Sequence, residues 1–355
     1  MPAHPSWQTG IAEPERSRGP PFTARYAGGM TRRTSMADVA AAAGVSAQTV
    51  SRVVNDSPRV DPETRARVEA AMAELGYRRN RAARALRTGR TDTIGLIVSG
   101  LGNTGNSLML QAVAESAAAR GYALTVATAT GPSAIAESFA LMRAQGIDGA
   151  VILNEATALA RTVDVPRDLA LVVVDSDADD RYAIVQTDHA AGAREATRRL
   201  LSLGRGAVHH VAGPADSFAA AARERGWREA LAEAGIQAPE VVRGDWSAAA
   251  GYAAIADLPG DASALFVAND QMALGALHAL ADAGRRVPDD VAVIGFDDVA
   301  EAAHYRPPLT TVRQDFAALG AAAVDALVTT IGAATPAARA VPLEIIPRLV
   351  LRASA

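Results

Sequence analysis

The 355-residue chain contains no cysteine and no lysine, and only 4% of it is aromatic. Without cysteine there is no disulfide, no thiolate zinc site and no cysteine nucleophile. All 35 basic residues are therefore arginine, a bias that carries no functional meaning by itself. No apolar run approaches the ~20 residues that a helix needs to cross a bilayer. The N-terminus lacks a charged segment leading into an apolar stretch, so no secretory signal is expected. A reduced, cytoplasmic setting is compatible with these features.

What is present is an ordinary globular composition, 49% hydrophobic and 21% charged, in a chain long enough for more than one core. The net charge of −4 hides an asymmetry. Residues 31–90 carry 12 Arg against 6 acids, and residues 91–355 carry 20 Arg against 31 acids. A small basic head on a large acidic body points to a polyanionic partner for the head alone.

Residues 1–33, rich in Pro, Gly, Ala and Arg and without period, are expected to form a disordered leader, and Met30 and Met36 are alternative starts. Periodic structure begins at Ser35, an N-cap followed by Asp38 in the first turn. Gly44-Val45-Ser46 breaks this helix and offers a second cap for a helix over 47–54. A third helix starts at Asp61-Pro62-Glu63 and runs to Gly76. Two short helices across a three-residue turn, followed by a supporting helix, describe a helix-turn-helix over 34–80. From Thr93 the pattern becomes one of β-branched runs (94–98, 123–127, 150–153, 169–174, 207–212, 265–268 and 291–296) separated by alanine-rich helical stretches. Such alternation implies an α/β body of two doubly wound parallel sheets.

Gln48 and Arg52, four apart, share one face of the second helix, where Gln suits adenine and Arg suits guanine in a major groove. Val50 and Val53 face the other way. A solvated polar face on an unrelated helix is the simpler alternative; the turn, the caps and the charge balance together weigh against it.

The segments 46–55 (SAQTVSRVVN), 68–77 (VEAAMAELGY) and 80–86 (NRAARAL) closely resemble the DNA-binding region of the lactose repressor (LacI) family, and the resemblance runs from about Thr34 to Leu351. It implies a helix-turn-helix head, a hinge helix over 81–90 and a bilobal, periplasmic-binding-protein-like core over 91–355. The first lobe would span about 91–187 and 316–342, and the second about 188–313 and 343–352. The implied DNA-contacting set is Ser46, Ala47, Gln48, Thr49, Ser51, Arg52, Asn55, Asn80, Arg81 and Leu86. Leu86 matches the family's minor-groove wedge, which unstacks a base step and bends the duplex. Ala47 departs from the large aromatic residue found here in the member that gives the family its name, so a different operator base pair is expected.

Further matches occur at 244–247 (GDWS), 268–275 (ANDQMALG), 295–298 (GFDD) and 307–316 (PPLTTVRQDF), the last expected to cross between lobes. They imply a sugar site with Arg223, Asn269, Asp297, Gln314 and Asp175 on hydroxyls and Trp246 and Phe316 as apolar walls. In the loop 99–109, which lacks the family's usual Asn-Pro-Phe-Phe pattern, Asn103 and Ser107 are expected to face the pocket. The simpler alternatives are that Asn269 is only an N-cap, that Trp246 is ordinary core, and that Asp297-Asp298 caps a helix or forms ion pairs.

The resemblance thus implies a repressor that a small, galactoside-like sugar releases from double-stranded operator DNA. A purine or phosphosugar effector, or a sugar-binding protein without a regulatory role, is the alternative. An enzyme is disfavoured: Asp188-His189 and Asp297-Asp298 have no partners completing a catalytic set, and no nucleophile motif or metal spacing occurs. No cofactor and no membrane are expected. With the chain ending at Ala355 soon after Leu351, and nothing matching a tetramerising helix, a homodimer in the bacterial cytoplasm, on the nucleoid when operator-bound, is the expectation.

Overall fold

A computed structural model describes residues 34–55, 57–77, 89–164, 166, 169–177, 179, 181–332 and 342–355. The chain separates into two units at residues 80 and 81. The expected leader, and most of the expected hinge with Asn80, Arg81 and Leu86, lie outside the described residues.

The head is three helices, α1 (Met36–Ala43), α2 (Ala47–Val54) and α3 (Pro62–Glu74). Ser35 and Asp38 form a reciprocal capping box, the Ser35 amide donating to Asp38 at 2.8 Å. Gly44, at φ 66°, ends α1 in the left-handed region that glycine enters without strain. Ser46 caps α2 and Asp61 caps α3, ahead of Pro62. The Thr64 amide on the Asp61 carboxylate lowers its pKa. Val39, Ala40, Val50, Val53, Val68 and Ala71 make the small core, so Val50 and Val53 do turn inward.

The body holds two six-stranded sheets. The first contains β1 (Thr93–Val98), β2 (Ala123–Thr128), β3 (Gly149–Leu153), β4 (Ala170–Val174), β5 (Ala183–Thr187) and β11 (Leu343–Ile345), in the order 11-5-4-3-1-2 and all parallel. The second contains β6 (His209–Ala212), β7 (Val242–Arg243), β8 (Ala264–Val267), β9 (Ala292–Asp297), β10 (Thr310–Arg313) and β12 (Arg348–Val350), in the order 12-10-9-8-6-7. Only β12 runs antiparallel. The helices are α4 (Thr104–Ala119), α5 (Pro132–Ala144), α6 (Glu155–Ala160), α7 (His189–Leu201), α8 (Phe218–Glu233), α9 (Ala248–Ala254), α10 (Asp270–Asp282) and α11 (Phe316–Gly332). β3 and β9 are buried along their whole length, as strands covered on both faces should be.

The chain passes between the lobes three times, after β5, after β10 and after β11. Residues 307–316 add β10 to the second sheet and cross at Gln314–Asp315, between the expected lobe bounds at 313 and 316. One expectation shifts. Residues 343–345, expected in the second lobe, pair with β5 of the first, so the last crossing falls at Ile346–Pro347. The three-residue β11 has two exposed positions, and its strand state comes from its neighbour rather than from its own pattern.

Glycine sets one contact that matters for the site. A Cβ on Gly275 of α10 would come well inside 3.0 Å of the Ala248 carbonyl oxygen, and one on Gly251 of α9 would do the same to the Met272 carbonyl. The two helices therefore touch backbone to backbone, and both begin at the rim of the interlobe cleft.

Candidate DNA-binding face and ligand cleft

On the head, Ser46, Ala47, Gln48, Arg52 and Asn55 are exposed, and Thr49 and Ser51 are half-buried. The Ser46 hydroxyl accepts the Thr49 amide at 3.1 Å, and the Asn55 carboxamide donates to the Ser51 carbonyl at 2.5 Å, so both ends of α2 are tied off locally. Gln48 and Arg52 are left as long polar side chains on the outward face of a rigid helix.

In the body, the carboxyl ends of strands from both sheets line a cleft with about 410 Å³ of empty space, open solvent included. Eight of the nine residues expected there line it: Asn103, Asp175, Arg223, Trp246, Asn269, Asp297, Gln314 and Phe316. Ser107 does not. It sits one turn along α4, and its hydroxyl donates to the Leu101 carbonyl at 2.8 Å, so it closes the loop instead of facing the cleft. Asn103 caps α4, accepting the Gly105 amide at 2.7 Å.

Arg223 on α8, 4% exposed, is the centre of the site. Its Nη1 donates to the Ala268 carbonyl, its Nε lies 3.3 Å from His189 Nδ1, and its Nη2 lies 3.5 Å from Asp297 Oδ1. The guanidinium stacks 3.9 Å from the Phe296 ring centroid and 5.5 Å from that of Trp246. Burial lowers the Arg223 pKa, opposed by Asp297, and burial raises that of Asp297, opposed by Arg223. For both partners the loss of water outweighs their mutual attraction, as expected for a buried pair of loose geometry. Asp297 also accepts from Gln314 Nε2 at 2.7 Å.

His189 opens α7, and the preceding Asp188 caps that helix, so this pair is structural and not an acid and base. His189 Nδ1 accepts from Arg223, and its Nε2 lies 3.1 Å from Asp175 Oδ1 without hydrogen-bond geometry. Asp175 ends β4 of the first lobe at φ 53° and takes the Thr187 amide at 3.1 Å. A buried chain Asp175–His189–Arg223–Asp297 thus joins the two lobes beneath the cleft.

Asn269 is the N-cap of α10, accepting the Met272 amide at 2.8 Å, and its Nδ2 holds the Trp246 carbonyl at 3.1 Å. Trp246, at φ 76°, lays its indole against Gly213, where a side chain would collide with the ring. Its buried Nε1 has no hydrogen-bond partner among the described residues. The two adjacent aspartates do different work: Asp298 holds Arg313 and Arg352, each at 2.6 Å, and only Asp297 faces the cleft.

Sequence reasoning missed Asn154, Glu155 and Ser217. Asn154 ends β3 at φ 48° and donates to Asn106, while Glu155 accepts from the Ser99 hydroxyl at 3.0 Å. The strand over 150–153 was legible, and the rule that ligands gather beyond strand carboxyl ends would have found the first two. Asp270 is buried behind the cleft, bound by the Val299 amide at 2.9 Å and the Thr311 hydroxyl at 2.6 Å. Burial, and then Asp297, push its pKa well up.

The family model for bacterial regulatory proteins of the lacI family matches residues 35–80, and a periplasmic binding protein-like domain matches 197–355. The HTH-type transcriptional regulator CelR of Thermobifida fusca is 37% identical, over 81% of this chain and 89% of that protein. The lactose operon repressor of Escherichia coli (strain K12) is 36% identical, over 88% and 89%. The chain belongs to the lacI family. A solved structure of the lac repressor dimer bound to operator and the anti-inducer ONPF superposes with a TM-score of 0.77 at 34% identity, covering 91% of this chain and 99% of that one. As a lacI-family member the chain is a DNA-binding transcriptional repressor, and its relatives are regulators rather than enzymes. No helix among the described residues is long and apolar enough to cross a membrane.

Proposed function

We propose that the chain represses transcription as a homodimer on a pseudo-palindromic operator and is released when a neutral sugar, a galactoside or related hexoside, binds between its lobes. Residues 34–80 read the DNA, with Gln48 and Arg52 on base edges and Ser46, Ala47, Thr49, Ser51 and Asn55 around them. Asn80, Arg81 and Leu86 carry the hinge contact. Residues 91–355 bind effector and dimerise. The observation that carries the effector half is the buried Arg223–Asp297 pair, held loosely at 3.5 Å beside the Trp246 ring. Vicinal hydroxyls bond such a pair bidentately while the sugar's C–H face stacks on the indole. A site that lines up hydrogen-bonding groups in this way discriminates strongly against ligands lacking them. Sugar bound to Asp175 of one lobe and Arg223 of the other favours one lobe orientation. Through the dimer this weakens the operator contact, and by reciprocity operator weakens sugar binding by the same factor.

The test is fluorescence anisotropy of the full chain on a pseudo-palindrome from upstream of its own gene, with sugars added in turn. Half-sites should sit about 10 bp apart or a multiple of that. Release by one neutral sugar supports the scheme. Tight binding that no sugar disturbs overturns the effector assignment, and equal affinity for scrambled DNA overturns the operator assignment.

A further inference from the structure

The chain enters the body at Gly89 and Arg90, the end of the expected hinge that the structure describes, and it is pinned there from two sides. On one side Asp148, between α5 and β3, accepts the Thr91 and Asp92 amides at 2.8 and 2.9 Å. The Thr91 hydroxyl is shared between the Gly146 carbonyl at 2.8 Å and Asp148 at 3.1 Å. On the other side Arg90 Nη2 donates to the Ile331 carbonyl at 2.9 Å. That carbonyl lies in the last turn of α11, where carbonyls lack an intrahelical donor and the helix dipole favours a cation. Arg90, Gly146, Asp148 and Ile331 border one hollow, so both pins act at the same place.

The other end of α11 stands at the ligand cleft. Phe316, its first residue, lines the cleft, and Asp315 caps it by accepting the Ala318 amide at 2.9 Å. Gln314, just before the cap, lines the same cleft and holds Asp297 of the second lobe. A two-residue crossing therefore ties the second lobe to the start of α11. With 17 residues the helix is about 25 Å long, and Phe316 and Ile331 pack its two ends on the first-lobe core. A Cβ on Gly320 would fall 2.6 Å from the Ala112 Cβ, so α11 lies hard against α4. α4 itself begins at Thr104, whose amide donates to Gln271 Oε1 of the second lobe at 3.0 Å. The second lobe thus holds the starts of two helices that are packed too closely to slide separately.

Resting on the reading of the cleft as the effector site, we propose that α11 carries the state of the cleft to the DNA-binding end of the chain, and that Arg90 is the positioning residue that receives it. A change in lobe orientation reaches α11 at Gln314–Asp315 and displaces a rigid helix, which shifts the Ile331 carbonyl. Arg90 follows that carbonyl while Asp148 keeps Thr91 and Asp92 on the connection between α5 and β3, and the chain leading into the body is turned. Small helix shifts of this kind are a known means of switching between two packed states.

Two variants of the full chain test this. Arg90→Met removes the donor and keeps most of the apolar length, and Asp148→Asn weakens the opposite pin; neither residue lines the cleft. Operator anisotropy is measured with and without lactose, cellobiose and methyl hexosides, beside calorimetric sugar affinity and Tm. The factor by which the releasing sugar weakens operator binding should fall about 3- to 10-fold in each variant, with Tm and the sugar affinity of the DNA-free chain kept. If Arg90 were only a phosphate contact, its loss would weaken operator binding equally with and without sugar. An unchanged release factor in either variant overturns the proposal. Hydrogen exchange without sugar reads the same route backwards, since coupling is reciprocal. Operator should alter exchange of the amides of residues 318–323 in the parent chain and not in Arg90→Met. No alteration in the parent, or an equal one in the variant, also overturns the proposal. If no sugar releases the parent chain, the effector assignment fails, and the exchange comparison still decides the role of α11.

Discussion

Replacing Gly275 by alanine should destabilise the body and loosen the ligand cleft, against the usual sign of that change. In an ordinary helix interior Gly→Ala gains about 1 kcal/mol, because alanine loses less backbone freedom on folding. On α10 the new methyl would meet the Ala248 carbonyl oxygen and the Tyr252 amide well inside contact distance, and both belong to the backbone of α9. Relief requires α9 to withdraw on the order of 1 Å, and overpacking of this kind costs about 1–3 kcal/mol or more in a close-packed interior. In a body of this size that is a fall in Tm of roughly 2–10 °C. The loss should also reach the cleft. Trp246 immediately precedes the Ser247 cap of α9, and Asn269, which caps α10, holds the Trp246 carbonyl. Moving one helix along the other opens that bond and tilts the indole away from Arg223. Thermal unfolding followed by circular dichroism, with sugar titration alongside, reads both effects. A Tm that rises by a few degrees with unchanged sugar affinity would show that α9 and α10 are not in backbone contact, and the reasoning would be wrong.

Acid should destabilise the second lobe through His210, which stacks on Phe266 at 4.7 Å while its Nδ1 lies 3.0 Å from the Phe266 carbonyl. Burial holds the imidazole pKa down at about 4. The folded state therefore binds fewer protons than the unfolded one, and up to ~3 kcal/mol present above pH ~6.5 is lost as pH falls towards 4. Urea titrations across that range should show a flatter profile for His210→Phe, and an equally steep one would count against the assignment. Asp270 works in the opposite direction. Its pKa is raised, so its stabilising, protonated form is lost as pH climbs above the usual carboxylate range. Asp270→Asn keeps an acceptor for the Val299 amide and should be more stable than the parent chain at neutral pH with no gain in acid; equal stability at both pH values argues against this. On DNA, Gln48→Ala should weaken operator binding by about 1–3 kcal/mol while leaving scrambled DNA unaffected, measured by anisotropy at fixed salt.

The head was almost wholly legible, since each of its signals acts within one helical turn. Ser35, Ser46 and Asp61 each satisfy an amide three residues ahead, and Gly44 turns the chain by its own freedom. The long β-branched strands were legible because burial on both faces demands continuous apolar runs. β5, β10, β11 and β12 were not: β10, β11 and β12 are three or four residues long, β11 and β12 are partly exposed, and the apolar run of β5 is broken by Gln186 and Thr187. A strand such as Leu343–Ile345 exists because β5 offers it a free edge, and that fact is 158 residues away in sequence.

The site divides along the same line. Residue types and family register were enough to bring Arg223, Trp246, Asn269, Asp297 and Gln314 to one place, since each follows or faces a recognisable strand end. They could not show that Asn269 is also tied to the Trp246 carbonyl, that Asp298 turns away to two arginines, or that Ser107 closes its own loop. Nor could they show His189 as the buried link from Asp175 to Arg223, because that link depends on three side chains from different segments sharing one desolvated space. The sequence by itself determined which helices and strands form and what chemistry the cleft can offer, through local capping and burial patterns. The tertiary structure alone decided which polar atoms are paired and which are left open, because pairing is set by distances between segments that no local pattern encodes.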